Sequence, residues 1–97
     1  MEDELSKAEI HVRVWGRVQG VGFRAFVREQ ANLFRVTGWV RNVGRDQVEM
    51  CAEGMRESLD NFLAQVKKGP RVSKIRESKV EWREFNGRFE KFGVRWF

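Results

Sequence analysis

Residues 10–27 read IHVRVWGRVQGVGFRAFV, and a change of period inside them decides the fold. Up to Trp15 the side chains alternate, Ile10, Val12 and Val14 on one face and His11, Arg13 and Trp15 on the other. That is a strand with one face buried. From Phe23 the spacing turns helical: Phe23, Phe26, Val27, Ala31 and Phe34 form one apolar stripe over about three turns. Between the two lies GRVQGVGFR, residues 16–24, with three glycines and no Ser, Thr, Asp or Asn to cap the helix. A helix start without a side-chain cap leaves backbone N–H groups unpartnered.

The rest of the chain repeats this rhythm. VTGWVRN (36–42) and QVEMCA (47–52) read as two strands, with Val48, Met50 and Ala52 facing inward. The connection between them is short enough for a hairpin, so they should pair antiparallel. Met55, Leu59, Phe62, Leu63 and Val66 then recur at helical spacing up to Gly69-Pro70. That pair stops a helix, since Gly accepts a left-handed residue and Pro cannot continue the turn. KVEWRE (79–84) and FGVRWF (92–97) are two further candidate strands, and residues 71–78 and 85–91 read as charged loops. Two βαβ halves predict an α+β, ferredoxin-like split β-α-β sandwich. Its antiparallel sheet of four to five strands would carry both helices on one face.

At 97 residues the chain supports one core. No apolar run approaches the ~18 residues needed to span a bilayer, and the acidic start MEDELSK lacks the features of a signal peptide. Residues 1–7 are expected to form a flexible acidic tail, residues 8–97 the domain, and the cytoplasm to be its compartment. The single cysteine, Cys51, cannot form an internal disulfide and reads as packing material. A net charge of +5 is compatible with nucleic acid, a membrane surface, a small anion or simply a basic surface.

The glycines at 16, 20 and 22 permit positive φ and close approach of a ligand. Curved backbone N–H groups and an uncapped first turn make a concavity suited to phosphate. Arg24 lies in that turn, where the helix dipole disfavours a cation but a guanidinium fork can grip two phosphate oxygens. The same features also fit a glycine-rich turn that binds nothing, for the stretch is neither GxGxxG nor a P-loop.

A resemblance separates these alternatives. Val14 to Arg24, VWGRVQGVGFR, resembles the first signature of the acylphosphatase family at every position that signature restricts. Gly38-Trp39-Val40-Arg41-Asn42, followed by a hairpin and Val48-Glu49, resembles the second. The likeness runs over about residues 8–97. It implies hydrolysis of carboxyl-phosphate anhydrides to a carboxylate and inorganic phosphate, by a monomer with no metal and no cofactor. It also implies that the loop Arg17, Val18, Gln19, Gly20, Val21 and Gly22, together with Arg24, binds the phosphate, and that Asn42 orients the attacking water. The sequence departs from the family in the hairpin, where the usual Asp-Gly is matched by Arg45-Asp46 and a glycine comes earlier, at Gly44. Either the turn differs in backbone conformation or Asp46 takes positive φ. Arg41 and Arg45 are expected to add positive potential at the mouth.

Other chemistries find less support. His11, the only histidine, has no partner fixed by sequence and reads as structural. No Cys/His group has metal-ligand spacing. Trp15, Trp39 and Trp82 could serve a partner if they shared the open face of the sheet. A single-stranded nucleic acid would need such a platform, yet the third strand turns Gln47, Glu49 and Cys51 outward. No nucleic acid or membrane partner is therefore expected. Acylphosphatase-like domains also begin hydrogenase-maturation carbamoyltransferases, whose relevant ligand is carbamoyl phosphate; this chain is expected to stand alone.

Overall fold

The computed structural model describes residues 6–97, so most of the acidic tail expected at 1–7 lies outside the described residues. Strand β1 spans Lys7–Arg17, helix α1 Phe23–Leu33, β2 Thr37–Val43, β3 Gln47–Met55, α2 Arg56–Lys68, β4 Lys74–Arg83 and β5 Phe92–Arg95. The sheet order is β4-β1-β3-β2-β5. β3 pairs antiparallel with both β1 and β2, so β1 and β2 run parallel with β3 between them. That is the split β-α-β arrangement.

Alternation decides which face holds the helices. Ala8, Ile10, Val12 and Val14 of β1 and Val48, Met50 and Ala52 of β3 are fully buried. They meet Phe23, Val27 and Ala31 of α1 and Leu59, Phe62 and Val66 of α2. Each buried Val, Leu, Ile, Phe or Met among them contributes about 1.5–3 kcal/mol by leaving water. Gly69, at φ 68°, closes α2 as its C-cap, and Gly69–Pro70 terminates the helix where expected.

Two expectations need correction. Residues 74–78 are not loop but the first half of β4. The register on β1 slips between Trp15 and Gly16, leaving Arg76 as the extra residue opposite them. This bulge puts Ile75 out of phase with Val80 and Trp82, and so hides the strand from an alternation test. The sheet is also not wholly antiparallel, because β5 pairs parallel with β2. The β4–β5 connection crosses the end of the sheet where β2 begins, so β5 must enter in the direction of β2.

That connection is held from the open face. The Glu53 carboxylate accepts backbone N–H groups from Asn86, Gly87 and Arg88 at 2.7, 3.2 and 3.2 Å. The Arg88 guanidinium reaches Glu9 at 3.1 Å. Glu9 and Glu53 stand opposite one another and are only 2% and 1% exposed, so without these donors their repulsion would be prohibitive. Trp15, Trp39 and Trp82 do not all share the open face. Trp82 pairs with Ile10 on the helix side, and the ring of Trp39 lies beneath the guanidinium groups of Arg41 and Arg95.

Glu49 organises the centre of this face. Its carboxylate takes His11 Nε2 at 2.6 Å and Arg41 Nε at 2.8 Å. Burial opposes its ionisation, but the hydrogen bonds from Arg41 and His11 outweigh it and hold the carboxyl below its ordinary 4.5. A carboxyl held lower in the folded than in the unfolded chain contributes its full stability at neutral pH and loses it as pH falls through the folded value. Glu49→Gln is therefore expected to lower stability by about 2 kcal/mol at neutral pH and to flatten the fall in Tm below about pH 4.5. Thermal melts of both proteins across that range check it; parallel curves would exclude the role.

Candidate active site

β1 ends at Arg17, and the chain turns through Gly20 at φ 73° and Gly22 at φ 78° before α1 begins. A Cβ added at either glycine would meet nothing within 4 Å. Their lack of a side chain thus serves the left-handed backbone rather than packing. Gly22 is the N-cap residue and makes no side-chain cap bond, and the first turn holds no acidic residue. The first helical bond runs from Phe26 N–H to Gly22 C=O at 3.0 Å. The preceding N–H groups of Phe23, Arg24 and Ala25 therefore have no acceptor within the helix.

These groups border a cavity of about 410 Å³ whose walls include Gly20, Gly22, Arg24 and Asn42. Arg24 is held from the far side. It donates from Nη1 to Arg95 C=O at 3.1 Å, and its guanidinium carbon lies 4.3 Å from the centre of the Trp96 ring. Asn42, six residues into β2, shares the helix side with Val40, and its Oδ1 is buried without a hydrogen-bond partner. Buried amide oxygens are ordinarily satisfied; this one has no partner within the protein, and Asn42 lines the cavity.

The loop residues predicted from sequence divide into distinct roles. Val18 is fully buried while also lining the cavity, and Val21 packs against the core. Arg17 is exposed and pairs with Lys74 in β4. Gln19 turns its side-chain amide away from the cavity, donating to the carbonyls of Val43, Gly44 and Gln47 at 3.2, 3.1 and 2.9 Å. Gly16 N–H donates to Asp46 C=O at 2.9 Å. Together they fasten the β2–β3 hairpin, and with it Asn42, to the glycine loop.

The unusual hairpin is resolved by Gly44, which takes φ 61° in a three-residue turn. Arg35 is the only residue other than glycine with positive φ among those described, so Asp46 does not adopt it. Its carboxylate instead pairs with Arg76 at 3.0 Å. The expected cationic mouth is corrected. Arg41 points to the open face and binds Glu49, and neither it nor Arg45 lines the cavity, whereas Arg28 does.

The acylphosphatase family model matches residues 10–94. The chain belongs to the acylphosphatase family. An acylphosphatase from Bacillus licheniformis is 47% identical over 87 residues, covering 89% of this chain and 96% of that one. The crystal structure of acylphosphatase from Bacillus subtilis superposes with a TM-score of 0.88 at 35% identity, over 92% of this chain and 99% of that one. The structure of an acylphosphatase from Coxiella burnetii gives 0.90 at 34% identity, over 98% and 99%.

Set within the acylphosphatase family, two site residues escaped the sequence reading. Arg28 follows Arg24 by four positions, the spacing that puts two side chains on one helix face, and that signal was present. Trp96 reaches the site only because β5 lies parallel beside β2, which no local pattern announces.

Proposed function

We propose that the protein hydrolyses carboxyl-phosphate anhydrides by attack of water at phosphorus, without a metal. The observation that carries this reading is the meeting of three things at one cavity: an uncapped helix N-terminus, the Arg24 guanidinium and the unpartnered Oδ1 of Asn42. The helix N–H groups and Arg24 hold the phosphoryl oxygens, with the N–H groups of residues 17–22 completing the cradle. Asn42 Oδ1 accepts a hydrogen bond from water and aims its oxygen at phosphorus. As that O–P bond forms, the P–O bond to the acyl group breaks and the carboxylate leaves with the electron pair. The water's proton passes to the phosphate product or to solvent. A carboxylate needs little protonation to leave, so positioning and charge stabilisation supply most of the acceleration.

Family membership supports the acyl phosphate as substrate and inorganic phosphate as product. A monomer working in the cytoplasm belongs to the same reading; no helix among the described residues is long and apolar enough to cross a membrane.

Benzoyl phosphate hydrolysis in EDTA, followed by ultraviolet absorbance, is the direct test. Turnover is expected with EDTA present. Inorganic phosphate should also raise the Tm, since a ligand at 100 times its Kd stabilises the native state by about 2.7 kcal/mol. Absence of both turnover and stabilisation would overturn the reading.

A further inference from the structure

Arg28 is an exposed arginine that lines the same cavity as Arg24, one helical turn further along α1. Like charges four residues apart on a helix repel, and the N-terminal half of a helix is the wrong end for cations. Neither arginine is compensated locally. The first turn of α1 has no acidic residue, and among the described residues no Asp or Glu lines the cavity. Among the described residues Arg28 has no salt bridge or side-chain hydrogen bond; Arg17, Arg35, Arg45, Arg56, Arg71 and Arg95 share that lack, but of these only Arg28 lines the cavity. Two positive charges thus face one cavity that no carboxylate of the described residues lines.

Phosphate binding accounts for only one of them. Arg24 stands beside the uncapped N–H groups and is already oriented by Arg95 C=O and the Trp96 ring, so Arg28 is not needed to place it. Arg28 lies about 6 Å further along the helix axis, away from the N–H groups that would hold the phosphoryl oxygens. The volume of about 410 Å³ is that of a small-ligand pocket, leaving room for an acyl group beyond the phosphate. The lining also includes Ala25, Val94 and Trp96, apolar surface that would accept the body of an acyl chain.

We propose that Arg28 makes this cavity selective for acyl phosphates whose acyl group carries a second negative charge, a carboxylate held beyond the anhydride. The inference rests on the hydrolase reading above and deepens it. A guanidinium suits this task because its planar fork matches a carboxylate and remains charged at every working pH. Being exposed, it discriminates by attraction and on-rate more than by enclosure.

The test compares meta-carboxybenzoyl phosphate with meta-carbamoylbenzoyl phosphate, which is nearly the same size and neutral. kcat/KM is measured on both for the unaltered protein, Arg28→Gln and Arg28→Lys. The carboxylate-to-amide ratio is expected to fall about fivefold in Arg28→Gln, mainly through KM. Part of the ratio should return in Arg28→Lys, and salt should diminish it in the unaltered protein. Taking the ratio between variants cancels any difference in the intrinsic reactivity of the two anhydrides. Equal losses on both substrates would assign Arg28 to the phosphate and overturn the proposal. An unchanged ratio with full turnover would make it a solvated surface charge and overturn it equally. If the unaltered protein turned over benzoyl phosphate but neither of these compounds, the proposal would fall; failure on all three would instead bring down the hydrolase reading itself.

Discussion

Asn42→Ala is expected to reduce kcat for benzoyl phosphate by about 10²–10³-fold while leaving the fold about as stable as before. The two halves of this result have one cause. Asn42 Oδ1 has no hydrogen-bond partner within the protein, so its removal breaks no bond that holds the fold. A Tm close to that of the unaltered protein is therefore the expected readout. Activity falls because the oxygen that would align the water is gone, and loss of one oriented polar group at a reaction centre is worth about 10²–10³ in rate. Arg24→Ala should lose as much and also bind phosphate more weakly, since it removes the guanidinium beside the helix N-terminus. A melt and a single-turnover assay on each variant separate the effects. If Asn42→Ala retained full turnover, water alignment would have to come from elsewhere, and the proposed mechanism would fail. If it lost activity only together with a large drop in Tm, the residue would be holding the hairpin rather than serving the reaction.

The second large effect is on stability. Gly38→Ala is expected to destabilise the fold by about 4 kcal/mol, a large share of the ~5–15 kcal/mol that holds a domain together. Gly38 has φ 146°, a conformation that L side chains rarely adopt. A Cβ there would stand 1.9 Å from the carbonyl oxygen of Cys51, within the β2–β3 ladder. Relief would require one strand to move away from the other. Gly38 N–H also donates to Lys91 C=O at 3.0 Å, so movement of β2 disturbs the entry of β5 as well. A Tm lower by roughly 20 °C, at about 4–8 °C per kcal/mol, is the expected observation. Gly20→Ala provides the contrast: its φ of 73° is also strained, but a Cβ there meets nothing within 4 Å. It should lose less stability, about 1–2 kcal/mol. Equal losses at the two positions would show that conformational strain alone, rather than the clash with Cys51, sets the cost.

Most of the architecture was legible because each element carries its own period. Ile10, Val12 and Val14 alternate, Phe23, Val27 and Ala31 recur helically, and Gly69-Pro70 stops α2. These are local consequences of the geometry of strands and helices, so neighbours in sequence suffice to reveal them. The glycine loop, the missing cap of α1 and Arg24 were legible for the same reason. So was the importance of the hairpin, although not how its turn would close. Gly44 provides the left-handed residue that the departure at Arg45-Asp46 seemed to put in question.

What stayed hidden depends on contacts between residues far apart in the chain. The first half of β4 was masked because its bulge at Arg76 is meaningful only against Gly16 of β1. The parallel placement of β5 follows from where the β4–β5 connection crosses the sheet, held there by Glu53 and Glu9 from other strands. Arg41 was expected at the mouth, but the pleat turns it to the opposite face, where Glu49 binds it. Thus the sequence by itself determined the order and type of the elements and the backbone cradle at the start of α1, all of which follow from short-range periodicity and φ preferences. Only the tertiary structure decided which side chains converge on that cradle. It brought in Arg28 rather than Arg45, placed Trp96 against Arg24 and left Asn42 Oδ1 free, because convergence is set by sheet order, register and facing, which local sequence does not encode.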